Sequence, residues 1–316
     1  MSLFISRPLP DAVLDRARAR FDTTIRSDTT GMTEDEMVAS LRDYDLVLPT
    51  LGDLYSAEVF AKAGSIRAKL LANFGVGYNH IDVEAAKAHG IVVSNTPGAV
   101  TDATADTAMT LILMTARRAG EGERMVRAGA WEGWHPTQML GMHVTGKTVG
   151  IIGMGRIGQA IARRCHFGFG MNVVFYNRSA KQVDFPANQL DSLQEVAANC
   201  DILIIATPGG AETRHLIGTD TFAAMQPHAL VINIARGEVI DETALIAALD
   251  ADEIGGAGLD VYEFEPAVPE TLINRENVTL LPHLGTATLE VRTEMGMLAM
   301  ENLERFSRGE PLLTPV

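Results

Sequence analysis

Cysteine is almost missing: only Cys165 and Cys200 occur among 316 residues. That excludes a disulfide-stapled scaffold, and their spacing fits no metal-binding pattern. Long apolar runs are missing too. The longest, around Leu111-Ile112-Leu113-Met114, falls far short of the roughly 18 residues a membrane-spanning helix needs. Basic residues are outnumbered, 26 Lys and Arg against 40 Asp and Glu, for a net charge of -14. Such a chain is repelled by nucleic acid and by anionic membranes, so neither is expected as a partner, although a local basic pocket for a small anion is compatible with it. The opening Met1-Ser2-Leu3-Phe4-Ile5 enters a strand-like run without a signal-peptide pattern, so the expected setting is the reducing cytoplasm. There is no Gly-x-Ser-x-Gly elbow and no His–Cys metal spacing, which removes a hydrolase reading and leaves no metal expected. No internal repeat or low-complexity tract is present.

What remains is an ordinary globular composition, 47% apolar and 21% charged, at a length that suggests two domains. Residues 1 to 97 alternate short strand-like runs (Leu3-Phe4-Ile5, Leu46-Val47-Leu48, Lys69 to Ala72, Ile91-Val92-Val93) with helical stretches at Asp11 to Arg20, Thr33 to Arg42 and Val83 to His89. That alternation predicts a parallel sheet covered by helices. Pro97-Gly98 is a breaker pair and a candidate hinge. Thr101 to Arg118 reads as one long helix capped by Thr101 or Asp102, apolar on several sides and so deeply buried, either under the next domain or in a subunit interface. Trp131 and Trp134 follow in a loop, where packing is their expected role. From Thr148 the alternation resumes, with apolar runs at Asn172 to Tyr176, Ile202 to Ala206, Ala229 to Ile234, Ala257 to Val261 and Val278 to Leu281. Thr286 can cap a last helix through Leu303, which could cross back to the first domain. The fold class expected is α/β, with two doubly wound parallel-sheet lobes.

The most informative stretch is Thr148 to Gly158. A β-branched run ends in Gly153-x-Gly155-x-x-Gly158, and a helical pattern follows. Strand, glycine turn and helix in that order are what a dinucleotide site requires. The first glycine makes the turn, the second lets backbone approach a pyrophosphate, and the third lets helix and strand pack. Amides at the helix start, here Met154 to Ile157, then receive the phosphates. About twenty residues on, the next strand ends in Asn177-Arg178-Ser179. An acid here would accept from the adenine ribose hydroxyls, and none is present. Arg178 instead offers a donor fork for a phosphate, with Asn177 and Ser179 as neutral donors, so NADP(H) is the preferred cofactor and NAD(H) the second choice.

Three polar residues follow buried-strand patterns: Arg236 after Val231 to Ala235, Glu265 shortly after Gly258 to Val261, and His283 after Val278 to Pro282. Parallel strands end on one edge, where the cofactor crevice lies, so the three should converge. Singly each has a bland reading, as a rim charge or a packing histidine. Together beside a redox cofactor they match the reduction of a 2-oxo acid. A guanidinium clamps the carboxylate, an imidazolium donates a proton to the carbonyl oxygen, and a carboxylate orients the imidazole. Asp260 is a fourth candidate that could simply cap a loop.

These motifs, with Asn73-Phe74-Gly75-Val76-Gly77-Tyr78-Asn79-His80-Ile81-Asp82, Asn233-Ile234-Ala235-Arg236-Gly237 and Leu281-Pro282-His283-Leu284-Gly285, carry a family likeness over almost the whole chain. The sequence resembles the D-2-hydroxyacid dehydrogenases, most closely the glyoxylate/hydroxypyruvate reductase branch. The resemblance implies a flavodoxin-like substrate domain, residues 1–97 plus 287–316, and a Rossmann NAD(P)-binding domain, residues 98–286. It implies Arg236 as substrate binder, His283 as acid/base and Glu265 as its support. The amides of Val76 and Gly77 would hold the substrate carboxylate with Arg236, and Leu51-Gly52-Asp53 would form another pocket wall. Thr104, Thr207, Pro208, Ile234, Ala235, Asp260 and Gly285 match cofactor-contacting positions. In this branch the loop bearing Trp134 reaches a partner's active site, so a homodimer is expected. Ending at Val316, the chain is expected to lack the appended regulatory domain of many phosphoglycerate dehydrogenases. Formate dehydrogenases resemble this family but place an amide beside the histidine; Glu265 favours carbonyl reduction instead. The leading expectation is NADPH-dependent reduction of glyoxylate and hydroxypyruvate. The alternatives are a reductase of a bulkier 2-oxo acid and a nucleotide-sensing binding protein of the corepressor kind.

Overall fold

Leucine-rich and β-branched runs become strands, and every strand pairing is parallel. The structure is a computed structural model describing residues 1–316, and it divides into two units, Met1–Val100 with Thr286–Val316, and Thr101–Gly285.

In the first unit the strands are β1 (Ser2–Ile5), β2 (Asp22–Ile25), β3 (Leu46–Leu48), β4 (Leu70–Ala72) and β5 (Val92–Ser94), in the order β2-β1-β3-β4-β5. This is the flavodoxin-like order. The three central strands are so short and apolar that β3 and β4 are buried throughout. The helix Glu34–Asp43 starts where expected because Thr33 and Glu36 form a reciprocal capping box. The last helix, Leu289–Ser307, belongs to this unit. Its cap is Thr288, which accepts from the Val291 amide at 3.3 Å, and not Thr286. Thr286 instead offers its carbonyl to the Thr288 amide at 2.8 Å, so the chain turns once more before the helix begins. Gly296 lets this helix lie on the helix Asp11–Arg20, since a Cβ there would sit 2.5 Å from Val13. Arg16 then bridges Glu301 at 2.9 Å and Glu304 at 2.7 Å.

In the second unit β6 (Thr148–Ile152), β7 (Asn172–Tyr176), β8 (Asn188–Gln189), β9 (Ile202–Ile205), β10 (Leu230–Asn233), β11 (Gly256–Leu259) and β12 (Val278–Leu280) run in the order β12-β11-β10-β9-β6-β7-β8. The order reverses at β6, the strand that feeds the glycine turn. That reversal is the switch point at which doubly wound sheets bind ligands. The expected long helix is shorter, Thr101–Ala116. It breaks where Arg118 takes a left-handed φ of 54° and grips Glu121, and a second helix, Ala119–Arg127, follows. Thr101 is its first helical residue and Asp102 pairs with Arg164 at 2.9 Å, so neither caps it. Its burial is against its own sheet: Ala105, Ala108, Leu111 and Ile112 join Val149, Ile151 and Ile232 in one apolar cluster. Gly258 in β11 makes the approach close, because a Cβ there would lie 2.8 Å from Thr115 Oγ1. Trp131 and Trp134 do not pack into the core of this chain, where they are 54% and 79% exposed.

Candidate active site

The polar residues of the second unit gather at the C-terminal ends of β6, β9, β10, β11 and β12. Past β10, Asn233 folds the chain back on itself: its side chain accepts from the Ala235 amide and donates to the Arg236 carbonyl, both at 3.0 Å. That small loop fixes where Arg236 leaves the sheet. Gly237 must be glycine, since a Cβ would lie 1.8 Å from the Tyr262 carbonyl carbon. The Arg236 loop is thereby pressed against the segment that carries Glu265. Arg236 is half-buried, and its guanidinium donates to the Ala235 carbonyl at 2.6 Å. Burial pushes its pKa down, while the nearby carboxylates of Glu265 and Glu238 push it back up.

Glu265 is held from two sides. Its Oε1 accepts from the Tyr262 amide at 3.0 Å, and its Oε2 lies 2.8 Å from His283 Nδ1. Burial alone would raise the Glu265 pKa, but the hydrogen bond and charge of His283, the Tyr262 amide and Arg236 together pull it below the ordinary value. An ionised Glu265 only accepts, so Nδ1 carries the proton and Nε2 is the nitrogen left for a substrate. Both side chains keep an open edge, 29% exposed for His283 and 32% for Glu265.

His283 is set by Asp260. The His283 amide donates to the Asp260 carbonyl at 2.9 Å, and the buried Asp260 carboxylate accepts from the Leu284 amide at 2.6 Å and the Gly285 amide at 2.8 Å. With the backbone held on both sides, His283 keeps a left-handed φ of 55°, a conformation a non-glycine residue adopts only at a cost of about 1 kcal/mol or more. Burial raises the Asp260 pKa. Thr104 supports the same turn, donating to the Gly285 carbonyl at 3.3 Å. Tyr262, which sequence reasoning passed over, ties the two loops together by donating to the Leu281 carbonyl at 2.9 Å.

The glycine turn divides into parts the protein needs and a part it does not. Gly153 has a φ of 100°, and a Cβ would fall 2.8 Å from the Ala206 carbonyl. At Gly158 a Cβ would lie 2.2 Å from the Gly153 carbonyl. At Gly155 a Cβ would meet nothing within 4 Å. Gly155 is also the N-cap of the helix Arg156–Arg163 and supplies no side chain to its free amides. Beside it Thr207 keeps a buried hydroxyl with no partner in the protein. An open cradle, uncapped amides and an orphan hydroxyl fit a dinucleotide phosphate. Met154, Ile234 and Ala235 are buried around this crevice, with Ile157 partly covered and Pro208 exposed.

Asn177-Arg178-Ser179 sits at the end of β7, with Asn177 donating to the Ser179 carbonyl at 3.0 Å. Arg178 pairs with Glu212, an acid from the loop after β9. Glu212 lies 34 positions away, and nothing in local sequence links it to the ribose site. Trp134 stands apart from all these groups, in the loop between the helix Ala119–Arg127 and β6. Leu51, Gly52, Val76 and Gly77 lie in the first unit, on loops that follow β3 and β4.

Residues 109–285 match the family described as D-isomer specific 2-hydroxyacid dehydrogenase, NAD binding domain. The chain belongs to the D-isomer specific 2-hydroxyacid dehydrogenases. Within that family it is 42% identical to a glyoxylate reductase of Thermococcus gammatolerans over 315 residues, covering 98% of this chain and 93% of the relative. A glycerate dehydrogenase of Hyphomicrobium methylovorum is 35% identical, over 97% of this chain and 96% of its own length. The structure of an NADPH-dependent glyoxylate/hydroxypyruvate reductase from Sinorhizobium meliloti, solved with NADP and malonate, superposes with a TM-score of 0.89 at 35% identity, covering 100% of this chain and 96% of that one. Membership makes this chain an oxidoreductase with a nucleotide-binding domain on the seven-stranded sheet. No helix is long and apolar enough to cross a membrane.

Proposed function

We propose that the protein reduces a small 2-oxo acid, glyoxylate or hydroxypyruvate, to the 2-hydroxy acid with NADPH as the preferred reductant. The observation that carries this reading is the 2.8 Å contact of His283 Nδ1 with Glu265, beside the Arg236 guanidinium on the strand edge that the glycine turn opens. The Gly153–Gly158 turn, Thr104, Thr207, Pro208, Ile234, Ala235, Asp260 and Gly285 would hold the cofactor. When bound, the nicotinamide supplies hydride to the substrate carbonyl carbon. Arg236 binds and orients the substrate carboxylate through its planar donor fork. His283 Nε2 gives a proton to the carbonyl oxygen as negative charge develops there, and Glu265 stabilises the charged imidazole and fixes its tautomer. The curated relatives named glyoxylate reductase support the substrate class. The Sinorhizobium neighbour is NADPH-dependent, and Arg178 without an acid at 177–179 favours the same cofactor here.

The first unit is read as the substrate lobe and the second as the cofactor lobe. Exposed Trp131, Trp134 and Leu140 on one loop support a homodimer in which Trp134 covers the partner's site. The working compartment is the cytoplasm, with two buried reduced thiols. The test is a matrix of initial rates for glyoxylate, hydroxypyruvate, pyruvate and phenylpyruvate, each with NADPH and NADH. The reading requires the highest kcat/KM for one of the first two acids with NADPH. A maximum for phenylpyruvate would move the assignment to bulkier acids, and no oxidation of either cofactor would return it to a binding protein.

A further inference from the structure

The loop after β4 is built so that its carbonyls face one way. Asn73, fully buried, sends both hydrogens of its carboxamide to this loop: Nδ2 donates to the Gly75 carbonyl at 3.0 Å and to the Gly77 carbonyl at 2.9 Å. Asn95 Nδ2 takes the carbonyl between them, that of Val76, at 2.8 Å. The Gly75 carbonyl also accepts from the Thr96 amide at 2.9 Å. In a trans peptide the N–H points opposite to the carbonyl of the same unit. Fixing the Gly75 and Val76 carbonyls therefore turns the Val76 and Gly77 amides outward, and neither donates to a backbone carbonyl. Two adjacent outward amides form a concave donor pair suited to a carboxylate.

The Asn73 amide is itself aligned. Its oxygen faces His80 Nε2 at 3.0 Å, and both groups are buried. Because both Asn73 hydrogens are already spent on carbonyls, the oxygen can only accept, and Nε2 of His80 must carry the proton. The histidine thus sets the flip of Asn73, and Asn73 sets the carbonyls.

We propose that His80, Asn73 and Asn95 are positioning residues that aim the Val76 and Gly77 amides at the substrate's carboxylate. The proposal rests on the reading of the substrate as a 2-oxo acid. None of the three touches substrate; they act through the backbone. An interaction with the carboxylate is made alike in the ground state and the transition state, so its loss raises KM and leaves kcat nearly constant.

The test uses the full-length protein with His80→Leu, His80→Gln and Asn95→Ala. Calorimetry measures the Kd of oxamate with saturating NADPH, and separately the Kd of NADPH. Kinetics with glyoxylate separate KM from kcat, and thermal midpoints report folding. His80→Leu should raise the oxamate Kd and glyoxylate KM by about tenfold, with kcat and NADPH Kd changed less than about threefold. His80→Gln, which restores an N–H donor, should recover most of the loss. Asn95 is partly exposed, so Asn95→Ala keeps the fold and should give a smaller rise of the same kind. If the wild-type protein binds oxamate and the folded variants bind it equally well, the positioning role is overturned and the 2-oxo acid reading stands. If His80→Leu does not fold, Asn95→Ala decides by the same criterion. If the wild-type protein neither binds oxamate nor reduces glyoxylate, the functional reading is overturned and the proposal with it.

Discussion

Glu265 Oε2 and His283 Nδ1 stand 2.8 Å apart across 18 positions of sequence, joined by a loop that Asp260 and Tyr262 hold from behind. An amide at 265 would keep the shape and remove the charge. Glu265→Gln should lower kcat by roughly 10- to 100-fold, with NADPH affinity unchanged. Steady-state kinetics with glyoxylate, beside an NADPH titration of the same variant, check this.

Asp260 holds the left-handed turn at His283 through two amides. Asp260→Ala should release that turn and cut kcat by at least about tenfold, whereas Asp260→Asn, which keeps one acceptor oxygen, should lose less. Comparing kcat of the two variants at matched thermal stability is the check.

The glycine turn gives two alanine variants with opposite signatures. Gly158→Ala drives a methyl into the Gly153 carbonyl and should destabilise the protein by at least about 2 kcal/mol. Gly155→Ala meets no protein atom, so its melting temperature should match wild type while its affinity for dinucleotide falls. Calorimetric melting beside NADPH titration separates the two effects.

Arg178 and Glu212 form an ion pair with both side chains about four-fifths exposed, which water and salt weaken enough for a phosphate to compete. Arg178→Ala should weaken NADPH binding by about tenfold or more and leave NADH nearly unaffected. Glu212→Gln should tighten NADPH a few-fold. Equal losses for both cofactors in the Arg178 variant would remove it from the selectivity role.

Acid stability has its own signature in the first unit. Asp45 accepts from Arg67 and from the Ser2 amide, and these contacts hold its carboxyl down at about 2. A depressed carboxyl pKa stabilises the fold above the unfolded value near 4 and loses that contribution as pH falls toward 2. Because Arg67 is half exposed, screening reduces the effect to about 1 kcal/mol. Asp45→Asn should lower the melting temperature at pH 7 and have a clearly smaller effect at pH 2.

The strands rich in Leu, Ile and Val were legible because a buried parallel strand is an uninterrupted apolar run. The edge strands Asp22–Ile25 and Asn188–Gln189 were not, since they are polar and half solvated and take their extended form from pairing with a neighbour. The helix Ala57–Ala63 escaped notice for a related reason: it is two turns long and Ser56 makes no side-chain cap. Convergence of Arg236, Glu265 and His283 onto one edge could be reasoned from parallel topology alone. The second rank could not. Asp260 reads as a loop acid until its two amide donors are seen, and Glu212 comes from a loop that folding alone brings to Arg178. The split at Arg118 is a backbone event, a left-handed residue in a sequence whose apolar pattern runs on.

The most direct measurement is NADPH oxidation by His283→Ala with glyoxylate, beside NADPH binding to the same variant. The account predicts that turnover is abolished while the NADPH Kd stays within a few-fold of wild type. Retention of most of the turnover rate would contradict it, because the proton would then come from elsewhere.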